Sequence, residues 1–200
     1  MNRRCSRRLA LASFLAMAIY LASCASPANH TAMEASLSGA TSGVGGVGSG
    51  TGTAVPIATV VPRNGYAVKV NVTGGSDTTA TTSSNIADAD FKAAIEASIV
   101  SAGLFKSTQS TPGAPFELNA RIVQLSKPSI GFSFTVELEV AWTLTRTSDQ
   151  APVLRKVIKS SHTATTSDAF VGATRLRLAV EGAARKNIDS AIQVIGALKY

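Results

Sequence analysis

The sequence predicts an α+β domain built as a two-layer sandwich, with a mainly antiparallel four-stranded sheet and two helices on one of its faces. Three segments carry apolar residues at every second position, the pattern of strands that bury one face. Two further segments carry them at every third or fourth position, the pattern of helices with one apolar stripe. The order is β-α-β-β-β-α, so the first helix forms a right-handed crossover between parallel strands.

The first strand and the first helix are separated by a loop rich in serine and threonine. Residues 66–73 alternate between apolar and polar side chains, and a Gly-Gly pair follows them. The helix is predicted to begin near Ala87, and Gly103 with Leu104 indicates its C-cap. Its apolar stripe consists of Phe91, Ala94, Ile95, Ser98, Ile99 and Ala102.

Three more strands follow. Residues 116–122 alternate, residues 127–131 form a turn, and residues 132–145 hold a period of two throughout, with Phe132 as the first apolar member. The fourth strand, residues 153–162, has less distinct faces. Its lysines are typical of an edge strand that is protected from pairing with another chain.

The last helix is predicted to be capped by Ser167 or Asp168. Its apolar stripe advances by three or four residues over Leu176, Val180, Ala184, Ile188, Ala191, Ile195 and Leu198. A charge ladder at i, i+4 spacing lies beside it, formed by Arg177, Glu181, Arg185 and Asp189. A solvated helix face is the first interpretation of this ladder, and a binding role for its arginines is the second.

The N-terminal end has the residue pattern of an export signal. Four arginines in the first eight residues precede an apolar run of 12 residues, 9–20, which is too short to span a bilayer. Leu21-Ala22-Ser23-Cys24 then resembles the lipobox of bacterial lipoproteins. The resemblance implies a signal peptide over residues 1–23, cleavage between Ser23 and Cys24, and a diacylglycerol on the Cys24 thiol. An ordinary signal peptide with a chance cysteine is the alternative, and export by the Sec or the twin-arginine route stays open.

The same resemblance predicts where the protein resides. Ala25 is not the aspartate associated with retention at the inner membrane, so we expect an outer-membrane lipoprotein that faces the periplasm. Without the four leading arginines the chain has 15 basic and 12 acidic residues, or a net charge of +3. That charge is too small to indicate a nucleic-acid partner.

Residues 24–55 are predicted to be the lipidated cysteine and a flexible tether. The segment is mostly Ala, Ser, Thr and Gly, and it offers too little apolar surface to offset the entropy of ordering. A chain of this length would lift the folded domain by roughly 30 Å. Residues 56–200 then form the periplasmic domain. Gly43, Gly45 and Gly48 match a dinucleotide-binding spacing, but no strand precedes them and no helix follows.

The domain is also similar to a group of poorly characterised bacterial envelope lipoproteins. The similarity rests on residues 91–105, on the strand ending at Trp142-Thr143-Leu144, and on segments 167–170 and 175–185. In element order the domain resembles the small α/β lipoproteins of the LPS-assembly machine and of transporter-auxiliary complexes. This second resemblance concerns architecture, and architecture alone does not carry function.

No pattern for catalysis stands out in the sequence. The mature chain has no cysteine besides Cys24. Its histidines are His30, in the predicted tether, and His162, which has no acidic or thiol residue nearby in sequence. Glu137 and Glu139 share the polar face of one strand at about 6.5–7 Å, a spacing that permits acid–base work but also suits solvated side chains. We therefore predict no cofactor, no metal site and no catalytic residue.

Two classes of function remain. The first is a lipid-anchored, non-catalytic binding or assembly subunit whose envelope partner contacts the polar sheet face through Arg121, Glu137 and Glu139. The second is a lipid-anchored hydrolase with an unrecognised site. A deep pocket that holds two or more ionisable groups would favour the hydrolase, and a flat polar face or an open groove would favour the binding subunit.

Overall fold

The structure is a computed structural model that describes residues 26–36, 66–78, 84–108 and 113–198. The signal peptide, Ser23 and Cys24 of the predicted cleavage site, and residues 37–65 lie outside this part of the chain. Within the described ranges, no helix combines the length and the apolar character needed to cross a bilayer.

Three helices and five strands make up the described domain. In chain order they are α1 (His30–Met33), β1 (Ala67–Thr73), α2 (Asp88–Ser101), β2 (Ser107–Thr108), β3 (Phe116–Ser126), β4 (Phe134–Arg146), β5 (Pro152–Ala164) and α3 (Gly172–Gly196). The sheet order is β2-β1-β3-β4-β5. Strand β1 runs parallel to β2 and β3, whereas β3–β4 and β4–β5 are antiparallel. The predicted parallel crossover around α2 is therefore confirmed.

The predicted number of strands was one too low. After α2 the chain returns beside β1, where Lys106 N–H donates to the Tyr66 carbonyl and Ser107 and Thr108 pair with Ala67 and Val68. Two residues are too few to show any period, so the pattern gave no sign of this edge strand.

Helices α2 and α3 cover one face of the sheet, as predicted for a two-layer sandwich. The apolar side chains of β4 from Phe134 to Leu144 are buried beneath them. Trp142 lies at the centre of this layer, with its ring 6.3 Å from that of Phe91 and its indole N–H donating to Asn187 Oδ1 at 2.9 Å. The predicted end of α2 is confirmed: Ala102 is the C-cap, Gly103 follows it with a φ of +63°, and Leu104 behind it is fully buried.

Two predicted boundaries in the loops beside α3 were wrong. Phe132 is 87% exposed, and β4 begins two residues later at Phe134. Asp168 does not cap α3, because its carboxylate accepts the Thr165 N–H at 2.7 Å and closes a turn before the helix. Helix α3 begins at Gly172, after Val171, which supplies no side-chain cap.

Strand β3 also continues four residues beyond its predicted end. A bulge at Val123 shifts the register, so that Ile122 faces Val140 while Gln124 faces Glu139. The extra residue breaks the alternation that the sequence pattern relied on.

Residues 26–36 belong to the folded domain, so the prediction of a flexible tether is wrong for this segment. Asn29 caps the short helix α1 by accepting the Thr31 N–H. Met33 and Ala28 are buried in the same core as α2 and α3. The Ala35 N–H donates to Ser98 Oγ of α2 at 2.8 Å. The domain boundary predicted at residue 56 therefore omits part of the core.

Candidate functional site

The sheet face turned away from the helices is polar and has no covering element among the described residues. We call it the outer face; it carries Lys69, Asn71, Glu117, Asn119, Arg121, Gln124, Glu137, Glu139 and Lys159. These residues alternate along their strands with buried apolar ones, so the packing of the core against the helices directs them outward. The structure thus places all three residues of the predicted partner face, Arg121, Glu137 and Glu139, on one surface.

A groove of about 290 Å³ crosses the outer face between β3, β4 and β5. Glu139 stands at its centre, opposite Gln124 on β3 and Lys159 on β5. Its carboxylate lies 3.0 Å from Lys159 Nζ. The Lys159 side chain is 77% exposed, so this ion pair contributes little to stability. Lys159 remains available to a second carboxylate or phosphate.

Glu137 occupies the end of the groove nearer the β3–β4 loop. It is exposed and stands opposite Ser126 and Ser161, so hydroxyl groups flank its carboxylate on both sides. Arg121 is exposed further along β3, opposite the small Ala141. The outer face therefore offers carboxylate, ammonium, guanidinium and hydroxyl groups to a partner.

A second polar cluster continues the outer face onto β1. Asn71 Nδ2 donates to Glu117 and, at 3.0 Å, to Asn119 Oδ1. Lys69 Nζ lies 3.8 Å from Glu117 Oε1. These side chains form hydrogen bonds and an ion pair with one another across β1 and β3. The groove around Glu137 and Glu139 is therefore the more open part of the outer face.

The chemistry of the groove suits binding. Its ionisable groups lie at a surface open to water, with Lys159 and Glu137 exposed and Glu139 half-buried. No group of three or more His, Cys, Asp or Glu side chains that could hold a metal ion occurs in the described ranges. The groove is open, which is the arrangement that the sequence argument assigned to a binding subunit.

The charge ladder of α3 is covered, and its interpretation as a solvated face is wrong. Glu181 is 4% exposed and accepts the Asn29 N–H at 2.8 Å. Arg185 donates from Nε to the Ala32 carbonyl at 2.9 Å, and Asp189 accepts the Ser36 N–H at 2.9 Å. The ladder therefore holds residues 26–36 through their backbone.

Burial shows in the pKa of the last ladder residue. Desolvation raises the pKa of Asp189 above its ordinary value, and the Ser36 N–H and Arg185 oppose the shift. A solvated carboxylate would not experience this desolvation, so Asp189 belongs to an internal contact.

His162 packs against α3 beside this ladder. A Cβ at Gly182 would lie 2.0 Å from His162 Cδ2, so the absence of a side chain at Gly182 makes room for the ring. Burial lowers the pKa of His162, and Lys186 and Arg185 lower it further. His30 is exposed on α1. Neither histidine belongs to a cluster of possible metal ligands among the described residues.

Sequence reasoning missed two surfaces. The first is the contact between residues 26–36 and the charge ladder of α3. The spacing of the ladder does not indicate that another segment covers it. The available signal was Met33, a large apolar residue in a stretch of small and polar ones, which is buried in the structure. The second surface is a group of exposed apolar side chains on the β3–β4 and β5–α3 loops. The sequence pattern had assigned one of them, Phe132, to the core.

A comparison with a solved structure supports the fold, and two further structures are similar at lower scores. No family model and no curated protein matches the chain. Protein XCC0632 from Xanthomonas campestris, of the DUF330 family, superposes with a TM-score of 0.54 at 9% identity, covering 70% of this chain and 90% of that one. PelC from Paraburkholderia phytofirmans, a dodecamer, gives 0.45 at 14% identity over 70% and 93%. A minor lipoprotein from Acinetobacter baumannii gives 0.36 at 12% over 66% and 87%.

Proposed function

We propose that this protein is a lipid-anchored, non-catalytic binding or assembly subunit of the bacterial cell envelope, held at the outer membrane and facing the periplasm. The observation that carries the proposal is the open outer face, whose groove brings Glu137, Glu139 and Lys159 together at the surface. The groups there suit recognition of a polar protein surface, because charge complementarity steers and orients a partner.

The lipobox supports the anchor. Leu21-Ala22-Ser23-Cys24 follows a basic and then an apolar segment, as in bacterial lipoproteins. Acyl chains on Cys24 would hold the domain at a membrane, since each buried methylene contributes about 0.8 kcal/mol. Sharing one membrane raises the local concentration of partners, so a modest affinity suffices for association.

The anchor is tested at the thiol. Cys24→Ser removes the atom that accepts the diacylglycerol, so the variant should accumulate as an unlabelled, uncleaved precursor. Metabolic labelling with a palmitate analogue measures the modification directly. Equal labelling of the variant and the wild type would exclude Cys24 as the lipidation site.

The outer face is tested by charge reversal. Glu137→Lys with Glu139→Lys should weaken association with co-purifying envelope proteins, because it places repulsion where complementarity was. Exposed substitutions usually change stability by less than about 0.5 kcal/mol. Glu137 is exposed, and Glu139, whose side chain is 24% exposed, borders the open groove, so the melting curve should change little. The readout is crosslinking and pull-down from solubilised envelopes.

A control variant separates the face from net charge. Glu96→Lys with Asp77→Lys makes the same change in charge, on α2 and on the loop after β1. It should keep the wild-type set of partners. If both variants lose partners equally, the effect comes from total charge, and the outer face is not the binding surface.

A further inference from the structure

Four large apolar side chains project into solvent from two neighbouring loops. The exposed fractions are 90% for Ile130, 87% for Phe132, 92% for Phe170 and 59% for Val171. Ile130 and Phe132 belong to the β3–β4 loop, and the other two to the β5–α3 loop. We call these four residues the apex. Exposed apolar residues are common singly, but a group of this size marks an interaction surface.

Arg175 forms hydrogen bonds to both loops. Its side chain is 6% exposed and donates to the carbonyls of Ala169 and Phe170 at 2.9 and 3.0 Å, and to that of Gly131 at 3.3 Å. The guanidinium also lies 5.2 Å from the ring centre of Phe134. A buried arginine bonded to both loops holds the apex in place, so its exposure is built into the fold.

The docked N-terminal segment begins at the same end of the domain. Ser84 Oγ donates to the Ser26 carbonyl at 3.0 Å, and Lys127, the first residue of the β3–β4 loop, donates to the Ser84 carbonyl at 2.9 Å. From Ser26 the segment runs along α3, meeting Glu181 first and Asp189 last. Its start, and not its end, therefore lies near the apex.

Chain reach then places the lipid site close to the apex end. Cys24 precedes Ser26 by two residues, which span at most about 7 Å. A flexible tether would have lifted the domain off the bilayer, but residues 26–36 are docked and leave only this short connection. Whatever surface holds Cys24 must therefore lie against the end of the domain that carries Ile130, Phe132 and Phe170.

We propose that the apex inserts into the lipid surface in which Cys24 is anchored, as a second attachment point. The proposal rests on the lipid anchor of the proposed function. Aromatic and aliphatic side chains on a rigid loop gain stability when they leave water for the boundary of the acyl chains. Two attachment points at one end fix the orientation of the domain, so the plane of its outer face would be roughly perpendicular to the membrane.

The test places a fluorescent reporter at each end of the domain. Phe132→Trp and Phe170→Trp report on the apex, and Tyr66→Trp, at the opposite end of the sheet and 53% exposed, is the matched control. The lipidated proteins are reconstituted into phosphatidylethanolamine–phosphatidylglycerol vesicles with and without brominated chains. Relative to the wild type, the two apex variants should show blue-shifted emission that brominated lipid quenches, and Tyr66→Trp should show neither effect. Equal behaviour at both ends would overturn the proposal.

The unlipidated chain separates this proposal from the anchor. Residues 25–200 retain every described residue, and the Phe132→Trp and Phe170→Trp reporters in that chain should bind the same vesicles weakly and be quenched. Adding Phe132→Ser to the Phe170→Trp chain should lower vesicle partition by about tenfold.

The outcomes distinguish the two proposals. If palmitate labelling fails but the unlipidated chain is quenched, the lipid anchor is wrong and membrane insertion of the apex is retained. If labelling succeeds but the apex reporters are not quenched, the apex proposal is wrong. A blue shift in native envelopes but not in protein-free vesicles would assign the apex to a protein partner and overturn it too.

Discussion

Two charged arrays in this protein are similar in sequence and opposite in structure. In the sequence, both arrays consist of charged residues beside an apolar stripe: one is the ladder of α3, and the other is the carboxylate pair of β4. The ladder is covered by residues 26–36, with Glu181 4% exposed, whereas Glu137 and Glu139 stay open on the outer face. The difference lies in the segment that docks on α3, whose backbone N–H and C=O groups need partners once they leave water.

A charge pattern by itself does not distinguish a solvated surface from an internal contact. On α3 the charged groups are hydrogen-bonded to backbone atoms from more than 150 residues away in the chain. On β4 they contact their strand neighbours and solvent.

Trp142→Ala tests which face of β4 is covered. Trp142 alternates along β4 with the carboxylates of the outer face, is 1% exposed, and donates to Asn187. Its truncation should cost about 3–5 kcal/mol of unfolding free energy, as for other large aromatics in cores. Chemical denaturation measures the loss, and a cost under about 1 kcal/mol would invert the assignment of inner and outer faces.

Met33→Ala tests whether the covering segment is part of the core. Met33 is fully buried between α2 and α3, so the substitution should cost about 2–5 kcal/mol. His30→Ala on the exposed side of α1 is the control and should change little. If both variants melt at the wild-type temperature, residues 26–36 are not part of the core and the predicted flexible tether is favoured.

Glu181→Gln and Glu137→Gln compare the two arrays with one chemical change. Glu181 loses a charged acceptor for the Asn29 N–H and its ion pair with Arg177, so the cost should be about 1–3 kcal/mol. Glu137→Gln should stay within about 0.5 kcal/mol. Equal losses in urea denaturation would mean that both arrays share one environment.

The smallest effect concerns pH. The pKa of His162 is lowered in the folded state by burial and by Lys186 and Arg185, with Asp168 opposing them. The unfolded chain therefore binds the proton first, and stability is lost as the pH falls through the unfolded value of about 6.5 toward the lower folded pKa.

His162→Phe keeps a ring against Gly182 and removes this titration. The difference in unfolding free energy between the wild type and His162→Phe should therefore become less favourable to the wild type between pH 7.5 and 5.5. Taking the difference cancels Asp189, whose raised pKa acts in the opposite sense. A difference that is independent of pH would contradict the assignment of His162.

The elements with long, regular periods could be predicted from the sequence. Strand β4 repeats every two residues because a single sheet face is buried along its length, and α3 repeats because its apolar stripe faces that sheet. The two-layer architecture and the parallel crossover followed from these patterns. The residues that project from the outer face followed as well, because alternation fixes the side of the sheet on which each lies.

The docked segment and the apex could not be predicted in this way. Residues 26–36 are short and rich in small residues, and long-range hydrogen bonds to α3 hold them in place. Phe132 continues the period of β4 but lies outside the strand, because Arg175 holds the Gly131 carbonyl in the loop before it. Both depend on contacts between distant parts of the chain, which a local pattern does not record.

The long sequence separation of the α1 contacts also bears on the order of folding. Asn29, Ala32 and Ser36 meet residues 152 or 153 positions later. Closing such a loop costs entropy before any contact repays it, so the hairpins of β3, β4 and β5 form earlier and the N-terminal segment docks late. By the same argument it detaches before the sheet opens, and its amides should exchange hydrogen faster than those of β4. The least durable contacts of the domain would then be those nearest the proposed lipid anchor.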